Sequence, residues 1–263
     1  MPAVYTACMT EPVLTTEIAD YDTDHVRIRG LDLASEVMGR LTFADVLFLL
    51  LCRRVPNADE RRLLDAILVS LVEHGLTPSA IVARATYASA PESLQGAVAA
   101  GLLGAGSVVL GSMEECARLL TDIGDKTLAG ASVESEAAAV AAAYGARKER
   151  LPGLGHRIHT AGDPRAPRLF EIAAECGRSG RHVESMRALS AAASAEAGKP
   201  LHINITGAAA AVLLELGIPW QLHRGFAVIS RSAGLVAHIG EELERPITPA
   251  LRRMVGRAPE PGG

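Results

Sequence analysis

The sequence predicts an all-α protein. Three observations carry that expectation: apolar residues recur at three- and four-residue spacing along most of the chain, helix start and stop signals bracket those stretches, and only "DHVRIRG" at 24–30 alternates as a strand does. The strand signal allows at most a small hairpin near the N-terminus.

Taken in order, "FADVLFLLLC" begins after Thr42, a residue able to cap it, and contains Asp45. Arg53 and Arg54 follow, so this short apolar run is expected as a core helix and not as a membrane span. Pro56 stops it, and Asn57 with Glu60 forms a capping box for "ADERRLLDAILVSLVEHG". There Leu63, Leu64, Ile67, Leu68 and Leu71 share one face, and Gly75 supplies the stop. Further helices are expected at 92–103, 112–123, 132–147, 165–176, 181–197, 206–217 and 222–243, the second started by a Ser112–Glu115 capping box. "AAAVAAAYGA" and "ALSAAASAEAG" suit close helix packing, and the tail "RAPEPGG" is expected to fray.

A chain of 263 residues with 49% hydrophobic and 21% charged residues has the composition of a globular protein. A formal net charge of -4 without a basic stripe argues against nucleic acid as a partner and leaves room for a small anion. Cys8, Cys52, Cys116 and Cys176 are too scattered for structural zinc or a disulfide framework, which suits reduced thiols in a cytoplasmic protein. The start "MPAVYTACMTEPVL" lacks the basic and apolar regions of a secretory signal, and no membrane association is expected. No metal ligand set stands out.

The chemistry-bearing stretch is "LPGLGHRIHTAGDPRAPRLF" at 151–170. Its glycines let backbone approach a ligand, His156 stands at the loop edge, and Asp163-Pro164-Arg165 places a cation at the start of a helix, where free amides also favour an anion. On spacing alone a plainer reading stands beside this: a turn capped by Asp163, with Arg165 in a salt bridge. Two more segments shift the balance. His74 ends a helix before Gly75 and Pro78, a place where a histidine also serves as a dipole partner. Arg231 lies among Phe226, Val228, Ile229, Leu235 and Val236, so it needs an anion, and a bound carboxylate is one way to provide it.

In this order, "TFADVLFLLLCRRVPNADE", "EHGL", "GLGHRIHTAGDPRAPRL" and "FAVISRSAGLVAHIGEELERP" resemble the citrate synthase superfamily, whose members carry "FEEVAYLLLYGRLPT" at the first of these positions. The resemblance implies a two-lobed helical fold that works as a homodimer or higher homo-oligomer and binds coenzyme A and a carboxylate between lobes. The expected division is 1–150 in the large domain, 151–205 as a smaller lobe carrying both motifs, and 206–263 returning to the large domain. His74 and His156 then match substrate-contacting histidines, and His156 the proton-transfer partner of the oxaloacetate carbonyl or citrate hydroxyl. Arg165 and Arg231 match carboxylate-binding arginines, and Arg245 one that reaches across the dimer. Leu151, Pro152, Gly153, Leu154 and Gly155 correspond to backbone along the coenzyme A adenine, with Lys148 or Arg150 near its phosphates.

The family pattern breaks twice. Synthases carry a histidine in a "GPLHGG"-like loop, where this chain reads "GLLGAGSVVLGSMEE" with Val109 nearest that position. The lyase branch, citryl-CoA lyase and the C-terminal module of ATP-citrate lyase, lacks that histidine too and has a similar "GLLTIGDRFGG", and the chain length is close to that of a lyase module. The family's "NVD" reads "NIT" here, which puts Thr206 at a catalytic aspartate's place. Thr206 could equally be the N-cap of the following helix. The resemblance thus implies a carbon–carbon lyase that cleaves citryl-CoA or a related 3-hydroxy-3-carboxyacyl-CoA, without a metal. A citrate or methylcitrate synthase is the nearest alternative, and a non-catalytic coenzyme A or carboxylate binder is a third. His159, His202, His223 and His238 are expected to be structural or surface residues.

Overall fold

The structure is a computed structural model that describes residues 14–256, apart from the side chains of Val108 and Val109. Cys8 and the C-terminal tail lie outside the described residues. Eleven α-helices, a π-helical turn at Leu33–Val37, a 3-10 turn at Trp220–Leu222 and one small sheet make up the regular structure among the described residues. No single described helix is long and apolar enough to cross a membrane. The chain divides into two compact units between Pro56 and Asn57.

In the first unit the alternating segment folds as expected. Strands β1 (Ala19–Tyr21), β2 (Val26–Ile28) and β3 (Leu31–Asp32) pair antiparallel, with Ala19 opposite Ile28 and Ile28 opposite Leu31. Arg29 and Gly30, at φ 48° and 84°, form the tight turn between β2 and β3, where two positive φ values match the strand twist. Helix α1 (Phe43–Cys52) has the expected Thr42 cap, and Asp45 closes the box by accepting the Thr42 amide at 2.8 Å.

The second unit begins with α2 (Ala58–Val72), started by the Asn57–Glu60 box as read from the sequence. It ends three residues before Gly75: Glu73 is already extended, at φ −146° and ψ 151°. The unit continues with α3 (Pro78–Ser89), α4 (Leu94–Leu110), α5 (Ser112–Leu128), α6 (Val133–Arg147), α7 (Arg165–Glu175), α8 (Arg181–Ala197), α9 (Ile205–Glu215), α10 (His223–Glu244) and α11 (Thr248–Val255). Helices α3 and α11 go beyond the sequence expectation, and α4 and α5 outrun theirs. The Ser112–Glu115 box does not form as a cap. The chain passes from α4 to α5 through Gly111 in helical geometry, so Ser112 is already the first residue of α5.

Within this unit α2, α3, α4, α10 and α11 pack on one another, while α5 to α9 form a second group. The second group includes α5 and α6, which lie against α8 and α9. In the first group Ala83, Ala97, Leu235 and Ile239 form a buried cluster. Gly101 sets its spacing: a Cβ there would stand 2.8 Å from Leu235 Cδ1 and 2.9 Å from Ala83 Cβ. In the second group α9 is apolar and small on every side, and Ile205 and Gly207 to Leu213 are all buried.

A buried ion pair closes the first group. Arg84 Nε donates to Glu242 at 2.7 Å, while Arg84 Nη2 donates to the Arg245 carbonyl at 2.7 Å. Glu242 also accepts from the Ile247 and Thr248 amides and the Thr248 hydroxyl, so each charge has the partners that burial requires. The corner between α10 and α11 is thereby fixed.

Candidate active site

The site forms where the two helix groups of the second unit meet. His74 and Arg231 come from the first group; the loop between α6 and α7, carrying His156, His159 and Asp163, and the start of α7 come from the second.

The glycine loop is built by internal pairing. Leu154 bridges to Ile203, the Gly155 amide donates to the His202 carbonyl at 2.8 Å, the Asn204 amide to the Gly153 carbonyl at 3.0 Å, and Asn204 Nδ2 to the Gly155 carbonyl at 2.7 Å. Gly153 has φ 83°, and a Cβ on it would stand 2.6 Å from Cys116 Sγ and 2.9 Å from Gly207 Cα. Its immediate cause is therefore contact with α5 and α9. Gly153→Ala is expected to cost about 2–4 kcal/mol, from overpacking plus the left-handed backbone, read as a lower urea midpoint.

Beyond the loop, His156 Nδ1 accepts from the Ile158 amide at 3.1 Å and the His159 amide at 3.0 Å. With Nδ1 an acceptor, the neutral ring carries its proton on Nε2, so His156 offers an N–H to whatever oxygen binds there. Burial, with the neighbouring imidazoles and Arg165, outweighs Asp163 and holds His156 below its ordinary pKa. His74 is lowered as well, first by burial and then by Arg165, His159 and Arg231. Both rings are thus kept neutral.

His159, expected to be structural, joins them. Its ring centroid lies 4.5 Å from that of His156 and 5.7 Å from that of His74, and one nitrogen from each of the three rings lies within 4.8 Å of the others. Three imidazoles can ligate a dication. Here Arg165 and Arg231 stand beside them, and the His156 Nδ1 lone pair is taken by amides. The trio is therefore composed for hydrogen bonding to an oxygen more than for a metal.

Arg165 forms the salt bridge that the plainer reading expected. Nε and Nη2 donate to the two oxygens of the buried Asp163, each at 2.9 Å, and Nη1 to the Ser70 carbonyl at 3.2 Å, which leaves one N–H on each terminal nitrogen. Burial works to raise the Asp163 carboxyl, but Arg165 and the Ile205 amide at 3.0 Å prevail and hold it at about 2.

Arg231 is held more loosely. Its side chain is 12% exposed, Nη1 lies 3.6 Å from Glu73 Oε1, and Nη1 makes no hydrogen bond among the described residues. Glu73 accepts the His74 amide at 2.7 Å and lies 3.1 Å from His238 Nε2, in poor alignment for a hydrogen bond. Gly234 makes room for it: a Cβ there would stand 2.7 Å from Glu73 Oε2. The carboxylate at the end of α2 thus faces Arg231, Gly234 and His238 on one stripe of α10 and fixes the His74 backbone. No sequence signal marked Glu73; its place depends on α2 ending early.

Other candidates take different places. Thr206 is the second residue of α9, whose N-cap is Asn204, with its side chain accepting from the Gly207 amide at 3.1 Å, so the N-cap reading of Thr206 is corrected. Arg245 is the C-cap of α10, 14 residues after Arg231 and about 21 Å of helix rise from it. His202 contributes its carbonyl to the glycine loop, and His223 is buried, with a pKa pushed down to about 4 by that burial. A cavity of about 450 Å³, lined in part by Gly162, Asp163, Pro164, Phe170 and His202, shares Asp163 with the site but has none of the three imidazoles on its walls.

A helical fold that gathers three imidazoles beside two guanidiniums is suited to hold an anionic, oxygen-bearing small molecule. The family follows from comparison: residues 54–252 match the model of the citrate synthase C-terminal domain, and the chain belongs to that family. Citryl-CoA lyase from Hydrogenobacter thermophilus superposes with a TM-score of 0.83 at 35% identity, covering 96% of this chain and 95% of that one. ATP citrate lyase from Methanosaeta concilii, solved with (3S)-citryl-CoA, superposes with a TM-score of 0.74 over 99% of this chain and 43% of its own; at 18% identity this shows the shared fold. Citrate synthase 2 of Bacillus subtilis (strain 168) is 30% identical over 195 residues, 72% of this chain and 49% of its own length. This chain spans about half the length of such curated relatives.

Proposed function

We propose that this protein is a carbon–carbon lyase that cleaves citryl-CoA, or a close 3-hydroxy-3-carboxyacyl-CoA, to acetyl-CoA and oxaloacetate or another 2-oxo acid. The observation that carries the reading is the imidazole trio of His74, His156 and His159 with Arg165 and Arg231 beside it. Any three nitrogens no more than 4.8 Å apart have a point within about 2.8 Å of all of them, hydrogen-bond distance for a tertiary hydroxyl. The free N–H groups of Arg165 and the unpartnered Nη1 of Arg231 suit the flanking carboxylates. The likeness to citryl-CoA lyase along nearly the whole of both chains supports the same reading.

In the cleavage, the hydroxyl loses its proton, the oxygen's electron pair closes the carbonyl, and the pair of the carbon–carbon bond passes into the thioester enolate, which takes a proton on carbon. The Nε2–H of His156 donates to the oxygen as it gains negative character, the term that dominates such catalysis. The adenine end of coenzyme A would lie along the Leu151–Gly155 loop. Arg245, far from its own chain's Arg231, would serve a second copy in a homodimer.

Direction is the point on which lyase and synthase part. Whatever group protonates the enolate in cleavage takes the same proton in condensation, so the two differ in what holds the enolate and in the hydrolysis of the thioester that a synthase adds: here no histidine lies between Leu94 and Leu128, and position 206 offers a threonine hydroxyl in place of a carboxylate. Purified protein supplied with citryl-CoA is expected to release oxaloacetate, read by its reduction with NADH and malate dehydrogenase, at a rate at least about tenfold above citrate formation from acetyl-CoA and oxaloacetate. The reverse ordering would make it a synthase.

A further inference from the structure

We propose that His159 is a catalytic residue of this site, the base that takes the hydroxyl proton when the carbon–carbon bond breaks and the acid from which the acetyl carbon is reprotonated. The inference rests on the cleavage reading above.

The argument begins with what His156 cannot do. Its Nδ1 receives two backbone amides, so in the neutral ring Nε2 carries the proton. To take a second proton, His156 would have to lose one first or turn an N–H toward those two amide N–H groups. It is built to donate to the oxygen, and the departing proton needs another acceptor. His74 is the next ring, but it sits under the influence of Arg165 and Arg231 at once, and a positive charge on it would face two guanidiniums.

His159 is the third imidazole, and the loop holds it from both sides. Its amide donates to His156 Nδ1 at 3.0 Å, and its carbonyl accepts from the Gly162 amide at 3.2 Å, with Gly162 at φ 122°. That geometry leaves the ring 4.5 Å from the His156 ring, with neither of its nitrogens hydrogen-bonded among the described residues. One oxygen at the nitrogen edges of the rings can then receive an N–H from His156 and give its own hydrogen to His159. The books close without a further reactant: one proton moves from oxygen to His159, the carbon–carbon electron pair becomes the enolate, and one proton returns from the imidazolium to carbon. The same ring also supplies what the chain lacks through Thr206, a group able to deliver a proton to the acetyl carbon.

The test uses the whole protein and citryl-CoA. His159→Asn is expected to lower kcat about 100- to 1,000-fold with KM within about threefold, because hydrogen bonding in the ground state is retained while proton transfer is lost. His159→Gly, checked for native circular dichroism, is expected to regain part of its rate on addition of free imidazole. An active wild type whose His159→Asn variant keeps kcat within about threefold, or whose glycine variant imidazole does not rescue, overturns the assignment and leaves the cleavage reading intact. A wild type without citryl-CoA cleavage overturns both.

Discussion

Asp163→Asn is expected to lower stability at pH 7 by about 3 kcal/mol, the lower end of the range for breaking a buried ion pair, since Arg165 keeps 26% of its side chain exposed. The wild-type carboxylate accepts two guanidinium N–H groups and the amides of Arg165 and Ile205. An amide in its place would turn an NH₂ toward donors and leave Arg165 unpaired. The pH dependence has a defined sign. The folded pKa, about 2, lies below the ordinary value of 3.8, so the group's contribution is fully present above about pH 4 and is lost as pH falls toward 2. Unfolding free energies from urea melts between pH 6 and pH 2 should fall in the wild type by about 2 kcal/mol more than in Asp163→Asn. Equal slopes would mean that the pair does not hold the loop.

Arg231→Met acts on binding in place of folding. Among the described residues Arg231 has a 3.6 Å ion pair with Glu73 and an Nη1 without a hydrogen bond, so its guanidinium contributes little to the fold. A carboxylate that met it there would be nearly desolvated, and losing a charge-assisted contact of that kind is expected to raise KM for citryl-CoA about 100-fold. The thermal midpoint should move by no more than a few degrees. A large loss of stability with unchanged KM would show instead that Glu73 and Arg231 form a structural pair.

What could be read along the chain was what depends on neighbours in sequence. The Thr42 cap, the Asn57–Glu60 box and the apolar stripe of α2 are local chemistry, and they formed as expected. The ordered histidine and arginine motifs led to the family. Helix α3 was missed although Thr77 and Pro78 mark its start, because its buried face is made of Ser79, Ala80, Ala83 and Arg84, too small and too polar to register as a stripe. Arg84 could not be read at all: its partner Glu242 is 158 residues away. The same holds inside the site. That the glycines of the "GLG" run pair with 202–204, that Glu73 gathers His74 and Arg231, and that His159 turns toward His156 are consequences of loop geometry and helix crossing, which no spacing rule contains.

The most direct test of the account is oxaloacetate release from citryl-CoA by the wild type and by His156→Ala under identical conditions. The account predicts turnover in the wild type and a loss of about 100-fold or more in kcat for the variant, the cost of removing a donor to a developing oxyanion. A variant that turns over at the wild-type rate would contradict the placing of the chemistry at the three imidazoles.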